Sequence, residues 1–143
     1  MDARKEMNDY LARIVVPKLR SIGFKGSFPH FRRILPNRIH LLTFQFDRYG
    51  GGFVIEIANC KAEGYTTSWG KKIEPNKLTA HDLYVRKRIQ SNMETSNSLR
   101  DDWFRYDQSK SSASLNIYQK VCEDVLSKLE VAEEYWKHGE LNS

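Results

Sequence analysis

Apolar residues recur at helical spacing at Met7, Leu11, Ile14, Val15, Leu19 and Ile22, which predicts a helix over about residues 3–22 with Asp2 as its amino cap. Pro17 falls inside this run, where it removes a backbone donor and crowds the carbonyl of Arg13, so a kink or break is expected there. Gly23 suits a left-handed ending, with Phe24 folding back on Leu19. From Phe28 the period changes to two. Phe31, Arg33 and Leu35 alternate with His30, Arg32 and Ile34 until Pro36-Asn37 turns the chain, which predicts a strand over 28–35 with Arg33 on the apolar side near the strand's edge. The runs 38–48 and 51–60 flank Tyr49-Gly50 and predict a hairpin.

The hairpin carries its own register. With Arg48 facing Gly51, Phe46 opposes Phe53, Phe44 opposes Ile55 and Leu42 opposes Ile57. The other face then pairs Gln45 with Val54, Thr43 with Glu56 and Leu41 with Ala58, a mixed surface. One face reads as core and the other as half wet. Residues 61–80 show no period and read as an exposed loop. Residues 83–89 alternate again, with Tyr84, Arg86 and Arg88 on the polar side, and Trp103, Phe104 and Tyr106 suggest a short last strand over 103–106. Leu115, Tyr118, Cys122, Val125, Leu129, Ala132 and Trp136 step by three and four, which predicts one long helix over about 113–138, capped by the preceding serines and ended by Gly139. The fold class is α+β: a single domain over 1–143, with an antiparallel sheet of about four to five strands and N-terminal and long C-terminal helices packed on one face.

Composition changes this picture little. Apolar residues at 40% and charged residues at 29% are those of an ordinary folded domain. The opening MDARKEMNDY lacks the apolar core of a signal peptide and no run of eighteen apolar residues occurs, so a cytoplasmic protein away from the membrane is expected. Cys60 and Cys122, far apart and without metal-ligand spacing, are expected to be buried thiols. Charge is more informative. Residues 1–50 hold ten Lys/Arg against four Asp/Glu, whereas residues 111–143 hold three against six, so the basic charge lies up front and an acidic partner fits it.

The search for chemistry is mostly one of exclusion. His30, His40, His81 and His138 show no HExxH or i, i+4 pairing, so neither a metal nor another cofactor is expected. There is no nucleophile elbow, and Gly50-Gly51-Gly52 joins two strands instead of opening a helix, so it is turn chemistry and not a phosphate loop. What remains is a set of cations on strands. If strands 28–35 and 83–89 share a sheet, Arg32 and Arg86 or Arg88 meet on the half-wet face beside His30, Gln45, Glu56 and Tyr84, and arginine forks suit carboxylate or phosphate. This is the candidate binding surface. An exposed face lined by Ile39, Leu41 and Val54 would in addition hint at a homodimer.

GF at 23–24, FRR at 31–33, FQ at 44–45, Gly51-Gly52-Phe53, RKRI at 86–89 and WF at 103–104, in that order, resemble the bacterial family called domain of unknown function 4304 over roughly residues 10–135. The resemblance implies no reaction, catalytic residue or cofactor. It implies a class, since small domains of this kind are read as immunity or partner-binding proteins. The function expected is therefore a non-catalytic binding module with an arginine-bearing sheet face for an acidic protein or anionic ligand. The alternatives are an enzyme acting on a small anionic molecule, with Glu56 or His30 as acid or base, and a weak nucleic-acid binder.

Overall fold

Pro17 is accommodated by a change of helix type just ahead of it. The first helix runs as α1, Ala3–Tyr10, continues through a π turn at Leu11–Val15, and resumes as α2, Val16–Ser21, with the proline in its first turn, where its missing amide is harmless. The structure, a computed structural model, describes residues 2–91, 103–107 and 116–142. Asp2 caps α1 through the amides of Arg4 and Lys5. At the far end the Phe24 amide donates to the Leu19 carbonyl and the Gly23 amide to that of Arg20, with Gly23 at φ +103°. This is the Schellman ending that Gly23-Phe24 predicts.

Strands β1, Lys25–Ser27; β2, His30–Ile34; β3, Arg38–Phe46; and β4, Gly52–Lys61, form an antiparallel meander. The β3–β4 register is the expected one at every named rung, from Phe46 against Phe53 to Leu41 against Ala58. The far edge of β4 is covered piecewise by three short strands. Phe104–Arg105 (β8) pairs with its start, Lys87–Ile89 (β7) with its middle and Leu141–Asn142 (β9), the parallel partner, with its end. Each segment satisfies a stretch of backbone that would otherwise form an open edge. The predicted strand 83–89 is thus shortened to its last three residues, and 28–35 begins later, because the chain first makes the hairpin of β1 with β2.

Both helical regions pack on one face of this sheet, over Phe31, Leu42, Phe44, Phe53, Ile55, Ile57 and Ile89, with Phe104 and Tyr106 completing the cluster. The C-terminal helix is not continuous. It divides into α3, Ile117–Ser127, and α4, Leu129–His138. The Ser127 hydroxyl donates to the Asp124 carbonyl, and the Lys128 amide donates instead to the Val125 carbonyl, a tighter turn that breaks the helical ladder. Buried Lys128 then pairs with Asp124 at 2.8 Å. The cap of α3 is Asn116, which accepts from the amides of Tyr118 and Gln119. The serines expected in that role, and Leu115, lie outside the described residues.

The second face departs most from expectation. Residues 61–80 are not an exposed loop. They form a small hairpin, Tyr65–Thr66 (β5) with Lys72–Ile73 (β6), then short turns at Pro75–Lys77 and Ala80–Asp82. Leu78 and Ala80 from this segment, and Leu83 just after it, bury Ile39, Leu41, Ala58 and Cys60, with Tyr65 and Ile73 at the margin. The sheet therefore lies between helices and a thin second layer. Val54 is also fully buried, so Ile39, Leu41 and Val54 offer no exposed apolar face for a dimer.

Candidate functional site

The pleat places His30, Thr43, Glu56 and Arg88 on one rung across four strands, β2, β3, β4 and β7. Side chains on a rung point to the same face, here the second face, where Thr43 and Glu56 are buried. The His30 ring Nδ1 lies 2.9 Å from the Thr43 hydroxyl. Arg88 donates through Nε to Glu56 at 2.8 Å, and Arg86 approaches the other carboxylate oxygen at 3.9 Å. Glu56 is only 8% exposed in its side chain, whereas Arg86 and Arg88 are 35% and 44% exposed. A buried carboxylate thus anchors two cations that still face solvent. Trp103 lies under the Arg88 guanidinium at 5.7 Å.

His81, on the Ala80–Asp82 turn, completes the group, its ring 6.0 Å from that of His30 in an edge-to-face arrangement. Burial lowers the pKa of both imidazoles. For His81 the Arg86 charge adds to this, against Glu56 and Asp82; for His30, His81 and Arg32 add to it, against Asp82. Both rings are therefore neutral at pH 7. Asp82 is itself engaged in a capping box, accepting from the amide and hydroxyl of Thr79.

Of the residues singled out from sequence, His30, Glu56, Arg86 and Arg88 come together. Three do not join them. Arg32 donates through Nε to the Leu78 carbonyl, 2.9 Å away, and so ties β2 to the thin layer. Gln45 sits half-buried two rungs further along, opposite Val54. Tyr84 lies ahead of β7 and is 90% exposed. His81 has no place in the surface expected from the sequence. Thr43, expected on the half-wet face opposite Glu56, is there, but His81 arrives on a segment whose fold had no periodic signal.

Arg33 lies on the helix side of β2 and has several partners. It forms a two-pronged pair with Glu133 of α4 at 2.7 and 2.9 Å, and also donates to the Ile22 carbonyl and to Nδ1 of His40. Its guanidinium stacks over Phe24 at 4.7 Å and Trp136 at 5.3 Å. This is a buried fastening and not the strand-edge cation expected. His40, almost fully enclosed and facing a cation, has its pKa pushed down to about 4, chiefly by burial. Among the described residues no group of three or more His, Cys, Asp or Glu side chains is placed to hold a metal, and no helix is long and apolar enough to cross a membrane. Cys60 and Cys122 are buried free thiols.

A family model described as "Domain of unknown function (DUF4304)" matches residues 15–131. No curated protein and no solved structure matches the chain.

Proposed function

The chain belongs to the DUF4304 family, which brings no reaction with it, and from that premise we propose that it is a non-catalytic binding module whose Arg86 and Arg88 edge engages an acidic partner, masking it in the manner of an immunity protein. One observation carries this reading: two guanidinium groups share the single buried carboxylate of Glu56. Among the described residues the two guanidinium groups outnumber the one carboxylate paired with them, with Asp82 the next acid nearby, engaged by Thr79. Arg86, at 3.9 Å, is too far from Glu56 for a hydrogen bond and keeps its donors for a ligand. Glu56 and Arg88 sit on paired strands, with Arg86 immediately ahead of β7, so binding costs little ordering of the backbone.

The test is retention on immobilised poly-L-glutamate with elution by salt. Arg86→Ala/Arg88→Ala should elute at clearly lower salt than the unaltered protein, and Lys71→Gln/Lys72→Gln, which removes as much charge from the exposed β5–β6 hairpin, should not. Equal shifts for both pairs would mean that net charge alone is being read.

The paired rings of His30 and His81 favour a second reading, an enzyme in which they move a proton on a small anionic molecule held by Arg86. Under this reading His30→Gln abolishes turnover of a substrate that Arg86→Ala only binds more weakly. A nucleic-acid reading has less support. It needs aromatics interleaved with the cations for stacking, and Trp103 is the single ring set against this pair among the described residues.

A further inference from the structure

A second pair of cations spans β1 and β2, the latter being the strand of His30, and lines a different cavity. Lys25 and Arg32 are direct cross-strand partners in the β1–β2 hairpin, and both line a cavity of about 230 Å³ together with Gly23, Ile34 and Asn76. Like charges set directly opposite destabilise a strand pair. None of these lining residues is a carboxylate. Asp82 is the acid whose charge supports Arg32, and its carboxylate is already occupied with the backbone and hydroxyl of Thr79.

The Arg32 guanidinium is also held in place. Its Nε is committed to the Leu78 carbonyl, which fixes the plane of the fork and leaves the two terminal nitrogens to point elsewhere. Gly26, at φ +115°, keeps the backbone close beneath it: a Cβ there would clash with the His30 carbonyl and come to 3.4 Å from the Arg32 Nη1. Asn76, from the Pro75–Lys77 turn, brings a neutral amide to the cavity wall. A fixed arginine fork, an opposing ammonium and an amide surround a space larger than one oxyanion.

We infer that this cavity binds the phosphate group of a small molecule, held between Lys25 and Arg32. Two opposed cations are balanced by a dianion, whereas a single carboxylate would answer only one of them. The remaining volume leaves room for the first atoms of an ester, with the half-exposed Ile34 side chain as their apolar contact. The site is separate from the Arg86 and Arg88 edge and stands or falls independently of it.

The test is a titration followed by amide chemical shifts with inorganic phosphate, methyl phosphate and acetate at matched ionic strength. Both phosphates should shift the amides of Gly23, Lys25, Gly26, Arg32 and Asn76 saturably, and acetate should not. Tighter binding of inorganic phosphate would assign the site to the free ion, and tighter binding of methyl phosphate to a phosphorylated molecule. Lys25→Gln, at an exposed position, should weaken phosphate binding about tenfold, while Arg86→Ala/Arg88→Ala should leave it unchanged. The inference is overturned if acetate matches phosphate, if Lys25→Gln binds as well as the unaltered protein, or if the shifts centre on Arg86 and Arg88.

Discussion

Arg33 and Glu133, a hundred residues apart, clasp in a two-pronged ion pair that fastens β2 to α4. Their side chains are 12% and 27% exposed, so most of the solvent is gone and the hydrogen-bonded geometry carries the pair. Removing one partner leaves the other charge in a poorly solvated place. Glu133→Gln should therefore lower stability by about 2 kcal/mol, short of the figure for a fully buried pair because the carboxylate keeps some water. Arg33→Met should cost more, since it also strips the Ile22 carbonyl and His40 of their donor. Denaturant unfolding of both variants checks the order.

His40 makes the same region acid-sensitive. Its folded pKa, about 4, lies below the ordinary value of 6.5, so as pH falls the unfolded chain takes up a proton first. The contribution is whole above about pH 6.5 and is lost toward pH 4, on the order of 3 kcal/mol. Glu133, whose pKa is lowered mainly by its hydrogen bonds to Arg33, acts in the same direction: its contribution is present above the usual carboxylate range and disappears below it. The His40 ring should stay neutral in an NMR titration down to about pH 4. A midpoint between 6 and 7 would contradict the burial described.

The thin layer of residues 61–83 should behave as core. Leu78→Ala and Leu83→Ala empty space against Ile39, Leu41 and Cys60, and each should cost about 2–4 kcal/mol in equilibrium unfolding. A loss below 0.5 kcal/mol would return this segment to the status of a surface loop.

Cys60 and Cys122 should resist thiol reagents. Burial pushes their pKa values up to about 11 and about 12, and Cys60 also donates to the Gly64 carbonyl. Modification at pH 8 should wait on unfolding, and it should become fast in denaturant.

How far the sequence reaches can be judged from these same residues. The β3–β4 register was readable because large apolar side chains match rung by rung, and a slip of one would have sent Phe44 and Phe46 to the wrong face. The helix ending at Gly23-Phe24 and the disturbance at Pro17 follow from local backbone chemistry. Arg33 was placed on the apolar side by its period, but its partner Glu133 reaches it only through packing of α4. The break at Lys128 was hidden because the apolar steps continue across it, and only the Ser127 hydroxyl interrupts the ladder. The thin layer was invisible for a different reason. Leu78 and Ala80 reach the sheet from turns, which leave no period to read, and with them comes His81, while Leu83 opens a predicted strand that in fact begins at Lys87. The candidate site was accordingly half legible: its strand residues were, and the residue delivered by the turn was not.

The central claim is that the Arg86 and Arg88 edge around Glu56 takes an acidic partner, and the most direct measurement is amide chemical-shift mapping with an oligo-glutamate peptide at low salt. Saturable shifts should centre on Glu56, His81 and residues 86–88 and vanish in Arg86→Ala/Arg88→Ala. Shifts spread over the basic first fifty residues, and unchanged in that variant, would contradict it.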